Sequence, residues 1–206
     1  QYGIFRETMK KLIVLLITTC IAGTVSAQVK VGIRGGALLS NVYYTFDNKN
    51  IATENIINYQ AGLMINSNIW KVIDVSPGFL FSAKGYEMDS IVKNQKYQIN
   101  YVDIPLMLGI KFGAKKLNFF AEGGTTLSIA VNGKFDDGIQ EKDLKFGSDE
   151  DELKLFDYGL TLGGGVQFGN LKLGLNYNLG LQDLKNTTQE ELKNENVILY
   201  AVIYLN

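Results

Sequence analysis

Eight charged side chains stand out against rows of small, uncharged residues in this sequence: Lys30, Arg34, Lys84, Asp103, Lys111, Glu122, Asp157 and Lys172. Five bases and three acids gathered in one place could line a pore or a proton-coupled path. Packed away from water they would form ion pairs instead, because buried charges are tolerated chiefly when paired. The chain has no histidine, so the commonest catalytic base and metal ligand is missing and Ser-His, Cys-His and zinc-His chemistry is excluded. No Ser/Lys or carboxylate-only set converges either. The reading therefore assigns no catalytic, cofactor-binding or metal-binding residue, expects no cofactor and does not expect an enzyme.

Two other segments invite a chemical reading. Val131–Leu155 carries Asp136, Asp137, Glu141, Asp143, Asp149, Glu150, Asp151 and Glu152. Their spacing matches no oxygen-ligand loop of the EF-hand kind, and such charge runs are usually solvated and mobile. The expected result is a protruding acidic surface that touches a partner or the divalent-rich lipopolysaccharide layer. Gly163-Gly164-Gly165 lacks the following Lys-Ser/Thr and the strand-to-helix context of a phosphate cradle, so it reads as close packing or a bend in a strand.

The eight charges share a row because of a pattern that recurs about eight times between Gln28 and Asn206: large apolar residues alternating with glycines, small polar residues and charges. Leu171, Leu173, Leu175, Tyr177, Leu179 and Leu181 interleave with Lys172, Gly174, Asn176, Asn178, Gly180 and Gln182. Successive side chains of a strand point to opposite faces, so one face is hydrocarbon and the other small and polar. The alternation predicts strands at about Val29 to Ser40, Asn58 to Trp70, Asp74 to Gly85, Gln98 to Phe112, Leu117 to Ala130, Phe156 to Phe168, Leu171 to Gln182 and Asn196 to Leu205. The last is apolar in both registers, so its faces are not assigned. Pro77 and Pro105 fall inside strands, where a missing N–H calls for a bulge or a shifted boundary.

Connections alternate in length. Lys71–Ile73, Gly113–Lys116 and Gly169–Asn170 are tight, whereas Asn41–Ile57, Glu87–Tyr97, Val131–Leu155 and Asp183–Glu195 are long. Short turns at one end and long loops at the other form the outer-membrane pattern, with the long loops facing out of the cell. A soluble barrel turns its apolar row inward and shows water a row rich in Lys and Glu. Here the polar row is mainly Gly, Ser, Thr and Asn, which suits a narrow, filled interior. The apolar row carries Phe79, Phe81, Phe112, Phe119, Phe168 and Tyr177, several near turns, like interfacial aromatic girdles. These features predict an all-β fold, an eight-stranded antiparallel transmembrane up-and-down β-barrel.

The 206 residues, 46% hydrophobic with 22 glycines and two prolines, suit one domain, and a formal charge of −1 gives no reason to expect nucleic acid. Met9, Lys10 and Lys11, an apolar run from Leu12 to about Val25, and Val25-Ser26-Ala27 form a secretory signal peptide over 9–27, cut after Ala27. The expected organisation is residues 1–8 upstream of the reading start, the signal at 9–27 and the barrel at 28–206. Cys20, the one cysteine, falls in the signal, leaving a mature chain without thiol chemistry.

Three segments resemble the Bacteroidetes outer-membrane β-barrel family labelled PorT-like or "porin family": Val31-Gly32-Ile33-Arg34-Gly35-Gly36 through Leu39-Ser40-Asn41, Tyr101-Val102-Asp103-Ile104-Pro105-Leu106-Met107-Leu108, and Asn176 through Leu184. The resemblance implies the fold and an outer-membrane location in a Gram-negative cell; some relatives serve protein secretion. The ending Ile203-Tyr204-Leu205-Asn206 departs from the terminal aromatic residue by which assembly machinery recognises many such barrels. The expected function is that of a structural or interaction protein with a filled lumen, acting through its long loops and possessing no enzyme activity. Its expected partners are outer-membrane lipid and lipopolysaccharide, the barrel-assembly machinery and an envelope or secretion protein. The alternatives are a small-solute channel and a carrier of a small hydrophobic ligand.

Overall fold

A sheet with one hydrocarbon face and one small polar face leaves two free edges unless it closes on itself. In a computed structural model that describes residues 29–88, 95–114 and 117–205, the chain closes. The barrel strands are β1 Val29–Phe46, β2 Glu54–Asn68, β3 Ile73–Met88, β4 Gln95–Ala114, β5 Leu117–Asp136, β6 Phe156–Phe168, β7 Leu171–Gly180 and β8 Glu190–Leu205. Each pairs antiparallel with its chain neighbour, and β8 returns to β1 through sixteen rungs from Val31–Leu205 to Phe46–Glu190. The fold is the eight-stranded up-and-down barrel that the alternation predicts. The expected signal peptide at 9–27, residues 1–8 and Cys20 lie outside the described residues, as do parts of the Glu87–Tyr97 and Gly113–Lys116 connections.

The register sets the barrel's dimensions. A path from Val29 through its successive partners Ser67, Val75, Leu108, Gly123, Leu162, Tyr177 and Val197 returns to β1 at Leu39, ten residues further on. That stagger in eight strands tilts them by roughly 40° and leaves an interior that side chains alone can fill.

The apolar row faces outward. On β7, Leu171, Leu173, Leu175, Tyr177 and Leu179 are exposed while Lys172, Gly174, Asn176, Asn178 and Gly180 are buried. Phe79, Phe81, Phe112, Phe119 and Phe168 are exposed as well, and Phe112 and Phe119 stack at the short-turn end. Ala83 departs from the pattern: it shares the parity of Phe79 and Phe81 but has no exposed surface. The ambiguous β8 resolves, with Val197, Leu199, Ile203 and Leu205 outward and Asn196, Ile198, Tyr200, Val202 and Tyr204 inward. Its inward aromatics join Leu38, Met64, Leu80 and Phe120 in an apolar core within the lumen, so the interior is less uniformly polar than the alternation implies.

Two expectations about boundaries change. Most strands run further toward the long-loop end than their periodicity shows: β1 continues to Phe46, where Asp47 and Asn48, both at positive φ, turn it into the short strand Lys49–Asn50. Paired backbone there needs no apolar row, because both faces meet water or neighbouring loops. Pro77 and Pro105 mark neither a bulge nor a boundary. The β3–β4 ladder pairs Pro77 with Leu106, has no rung at Gly78 or Phe79, and resumes at Leu80–Asp103 in unchanged register, so the absent N–H groups remove rungs without moving the strands. The irregularities lie instead between Asn55 and Gln60 and at Asn100–Tyr101.

Candidate functional site

Inward-pointing strand residues converge on the barrel axis, so charges far apart in sequence meet there. Near the short turns, Lys111 Nζ lies 2.9 Å from Asp74 Oδ2 and 3.3 Å from Asn66 Oδ1. Ser76 Oγ donates to Asp74 Oδ1 at 3.3 Å and accepts from Asn66 Nδ2 at 2.8 Å. Lys30, half-buried at this mouth, donates to Asn170 Oδ1 at 3.4 Å.

A second cluster joins β5, β7 and β8. Lys172 Nζ donates to Glu122 Oε2 at 2.6 Å, while Asn176 Nδ2 and Tyr200 Oη donate to Glu122 Oε1 at 2.8 and 2.7 Å. The Arg34 guanidinium lies over the Tyr200 ring at 3.8 Å, and Lys172 over Phe120 at 4.1 Å. Such cation–π contacts recover part of what desolvating the cations costs.

The third cluster centres on Asp103. Lys84 Nζ donates to Asp103 Oδ1 at 3.0 Å and Ser128 Oγ at 2.9 Å; Ser82 Oγ donates to Asp103 Oδ2 at 2.6 Å, and Gln60 Nε2 donates to Ser82 Oγ at 2.8 Å. Toward the loops, Asp157 Oδ2 accepts from Asn194 Nδ2 at 2.8 Å. None of the ion pairs among the described residues includes Arg34 or Asp157.

All eight residues singled out in the sequence therefore lie on the inner row, and all except Lys30 and Lys111 are buried. The sequence reading missed Asp74, whose parity with Ser76 was the available signal. With it the inner row holds four acids and five bases, of which three pairs form: Lys84–Asp103, Lys111–Asp74 and Lys172–Glu122. Tyr200 was hidden because β8 is apolar on both rows. Between the second and third clusters the free space amounts to a gap of about 20 Å3, which is room for a single water.

The loop end is also filled. Leu153 and Leu184, from two long connections, pack against Val42, Tyr86, Ile99, Tyr101, Ala130 and Leu192, with Leu144 and Phe146 alongside. Asn186 Nδ2 reaches the carbonyls of Asp149 and Glu152 at 2.9 and 3.0 Å, and Asp183 Oδ1 accepts from the backbone N–H groups of Lys185 and Leu192. The acidic segment is thus tied into the mouth by its apolar residues and Asn186, while its charges stay at the surface as expected: Asp136, Glu141, Asp143, Asp149, Glu150 and Asp151 are all exposed. Its apolar residues, spaced without a period, anchor it. Among the described residues no group of acids is arranged to hold a metal.

Among solved structures the chain is similar to Ail of Yersinia pestis (14% identity, TM-score 0.44, 86% of this chain and 99% of that one). It is similar to Neisserial surface protein A (8%, 0.46, 84% and 96%) and to OprG of Pseudomonas aeruginosa (11%, 0.48, 86% and 96%). No curated protein matches. Residues 22–186 match the family model described as outer membrane protein beta-barrel domain. With most of the chain covered by that match, the protein belongs to the outer membrane protein β-barrel domain family.

Proposed function

We propose that this outer-membrane barrel works with a closed lumen, as a structural and interaction protein whose active surface is its long-loop face, accessory to secretion or envelope assembly. The observation that carries the reading is the filling of the interior: three ion-pair clusters and an apolar loop plug succeed one another along the axis, with a gap of only about 20 Å3 between the middle clusters. A solute needs a continuous water path and a hydrophobic ligand needs an apolar cavity; neither accompanies that packing. The lumen charges act structurally, holding strands together.

In this reading the outer apolar row meets lipid, the loop face meets lipopolysaccharide and an envelope or secretion protein, and the assembly machinery inserts the barrel after cleavage near Ala27. The segments around Arg34, Asp103 and Tyr177 support a place among the PorT-like barrels of Bacteroidetes. The test is conductance. Residues 28–206, refolded and inserted into planar bilayers, should give no discrete steps, and reproducible single-channel currents would replace this reading with the small-solute channel.

A further inference from the structure

Arg34 Nε, Gln60 Oε1 and Asn176 Oδ1 are buried and have no hydrogen-bond partner within the protein, and all three residues line the same gap of about 20 Å3. Their side chains are almost completely withdrawn from solvent, with relative exposures of 4, 4 and 1%. Buried polar atoms in native interiors are nearly always satisfied, by protein or by ordered water. Three unsatisfied atoms, each on a residue that lines one hole, therefore describe the molecule that fits it. A water needs roughly 10–15 Å3, so the gap holds one.

The donor set selects the ligand. One N–H and two amide oxygens complement a molecule that accepts once and donates twice. An anion would face two carbonyl oxygens, and a metal cation would face the guanidinium with Lys84 beside it. Turning the amides over does not convert the site. Gln60 Nε2 is committed to Ser82 Oγ and, at 3.3 Å, to Asp103 Oδ2, while Asn176 Nδ2 is committed to Glu122 Oε1. Reversal would aim oxygen at carboxylate oxygen in both places.

We propose that a single resident water, accepting from Arg34 Nε and donating to Gln60 Oε1 and Asn176 Oδ1, is a built-in ligand of this lumen. Gln60 belongs to the Asp103–Lys84 cluster and Asn176 to the Glu122–Lys172 cluster, so the water joins the two into one network. It also gives Arg34, which no carboxylate pairs, a polar partner besides the Tyr200 ring.

Crystals of the refolded barrel, grown in chloride and again in bromide, test this directly. The expected result is one spherical density peak within hydrogen-bond distance of all three atoms, without anomalous signal at the bromine edge. An empty gap, a bromide signal, or Arg34 turned away from the gap overturns it. Solution counting gives a second arm. Water-deuteron relaxation dispersion should lose one long-lived internal water in Gln60→Met relative to wild type, with the variant shown to be folded by its heat-shifted gel mobility. An unchanged count in the folded variant also overturns the proposal, and if that variant does not fold the crystals of the wild-type chain decide. The water's presence or absence is read independently of conductance, so its failure leaves the closed-lumen function standing.

Discussion

Tyr200 Oη donates to Glu122 Oε1 at 2.7 Å although 78 residues of chain separate the two. Their strands, β8 and β5, are not neighbours in the wall, so the bond crosses the lumen rather than following the backbone ladder. Its ring also carries the Arg34 guanidinium. One phenol thereby connects β1, β5 and β8, and the pairing of Lys172 with Glu122 adds β7.

Removing only that hydroxyl should be felt. Hydrogen bonds to charged groups contribute about 1.5–3 kcal/mol, so Tyr200→Phe should lower the stability of the barrel by that order. Urea unfolding in lipid vesicles, followed through Trp70 as the one tryptophan, measures it. An unchanged midpoint would mean that the carboxylate is satisfied without the phenol.

Lys172→Met leaves Glu122 a buried charge without its cation, a change that typically costs about 3–5 kcal/mol. Adding Glu122→Gln removes the stranded charge while keeping an acceptor for Tyr200, and should recover most of the loss. The double variant unfolding at lower urea than Lys172→Met would contradict a structural role for the pair.

Glycines on opposite faces make a sharper contrast. A methyl on Gly174 would overlap the Tyr200 ring, whereas one on Gly35 meets nothing within 4 Å. Gly174→Ala should destabilise by about 1–3 kcal/mol through overpacking, and Gly35→Ala should stay within about 0.5 kcal/mol of wild type. Equal effects at the two positions would show that the inward and outward rows are misassigned.

Asn186 ties the acidic segment into the mouth through backbone carbonyls. Asn186→Ala should speed proteolytic cleavage between Lys145 and Lys154 severalfold while leaving the heat-shifted gel mobility of the barrel intact. Cleavage at the wild-type rate would assign the order of that segment to Leu144, Phe146 and Leu153 alone.

Much of the wall was legible because lipid on one side and packed side chains on the other force a strict period of two. β6 at Phe156–Phe168 was read to the residue. Legibility ends where that double constraint ends. Beyond the apolar belt, β1 and β8 continue as paired backbone that carries Glu190, Glu191 and Lys193, and a polar run there looks like loop. Leu153 and Leu184 plug the mouth from irregular backbone, where no period marks a core residue. Within the site, the sequence placed Glu122 and Lys172 on one face but could not pair them, because partnership depends on the ten-residue stagger of the closed register. The faces of β8 needed the same information: Tyr200 points inward over a glycine of β7 that only pairing brings beside it.

The barrel has lipid outside and its own side chains inside. Methyl-labelled protein in lipid nanodiscs tests both halves in one spectrum. Leu173, Leu175 and Leu199 methyls should show contacts to lipid chains, while Leu38, Leu80, Ile198 and Val202 methyls should contact neither lipid nor bulk water. Bulk-water contacts at the inner methyls would establish an open channel, and the absence of lipid contacts at the outer ones would turn the barrel inside out.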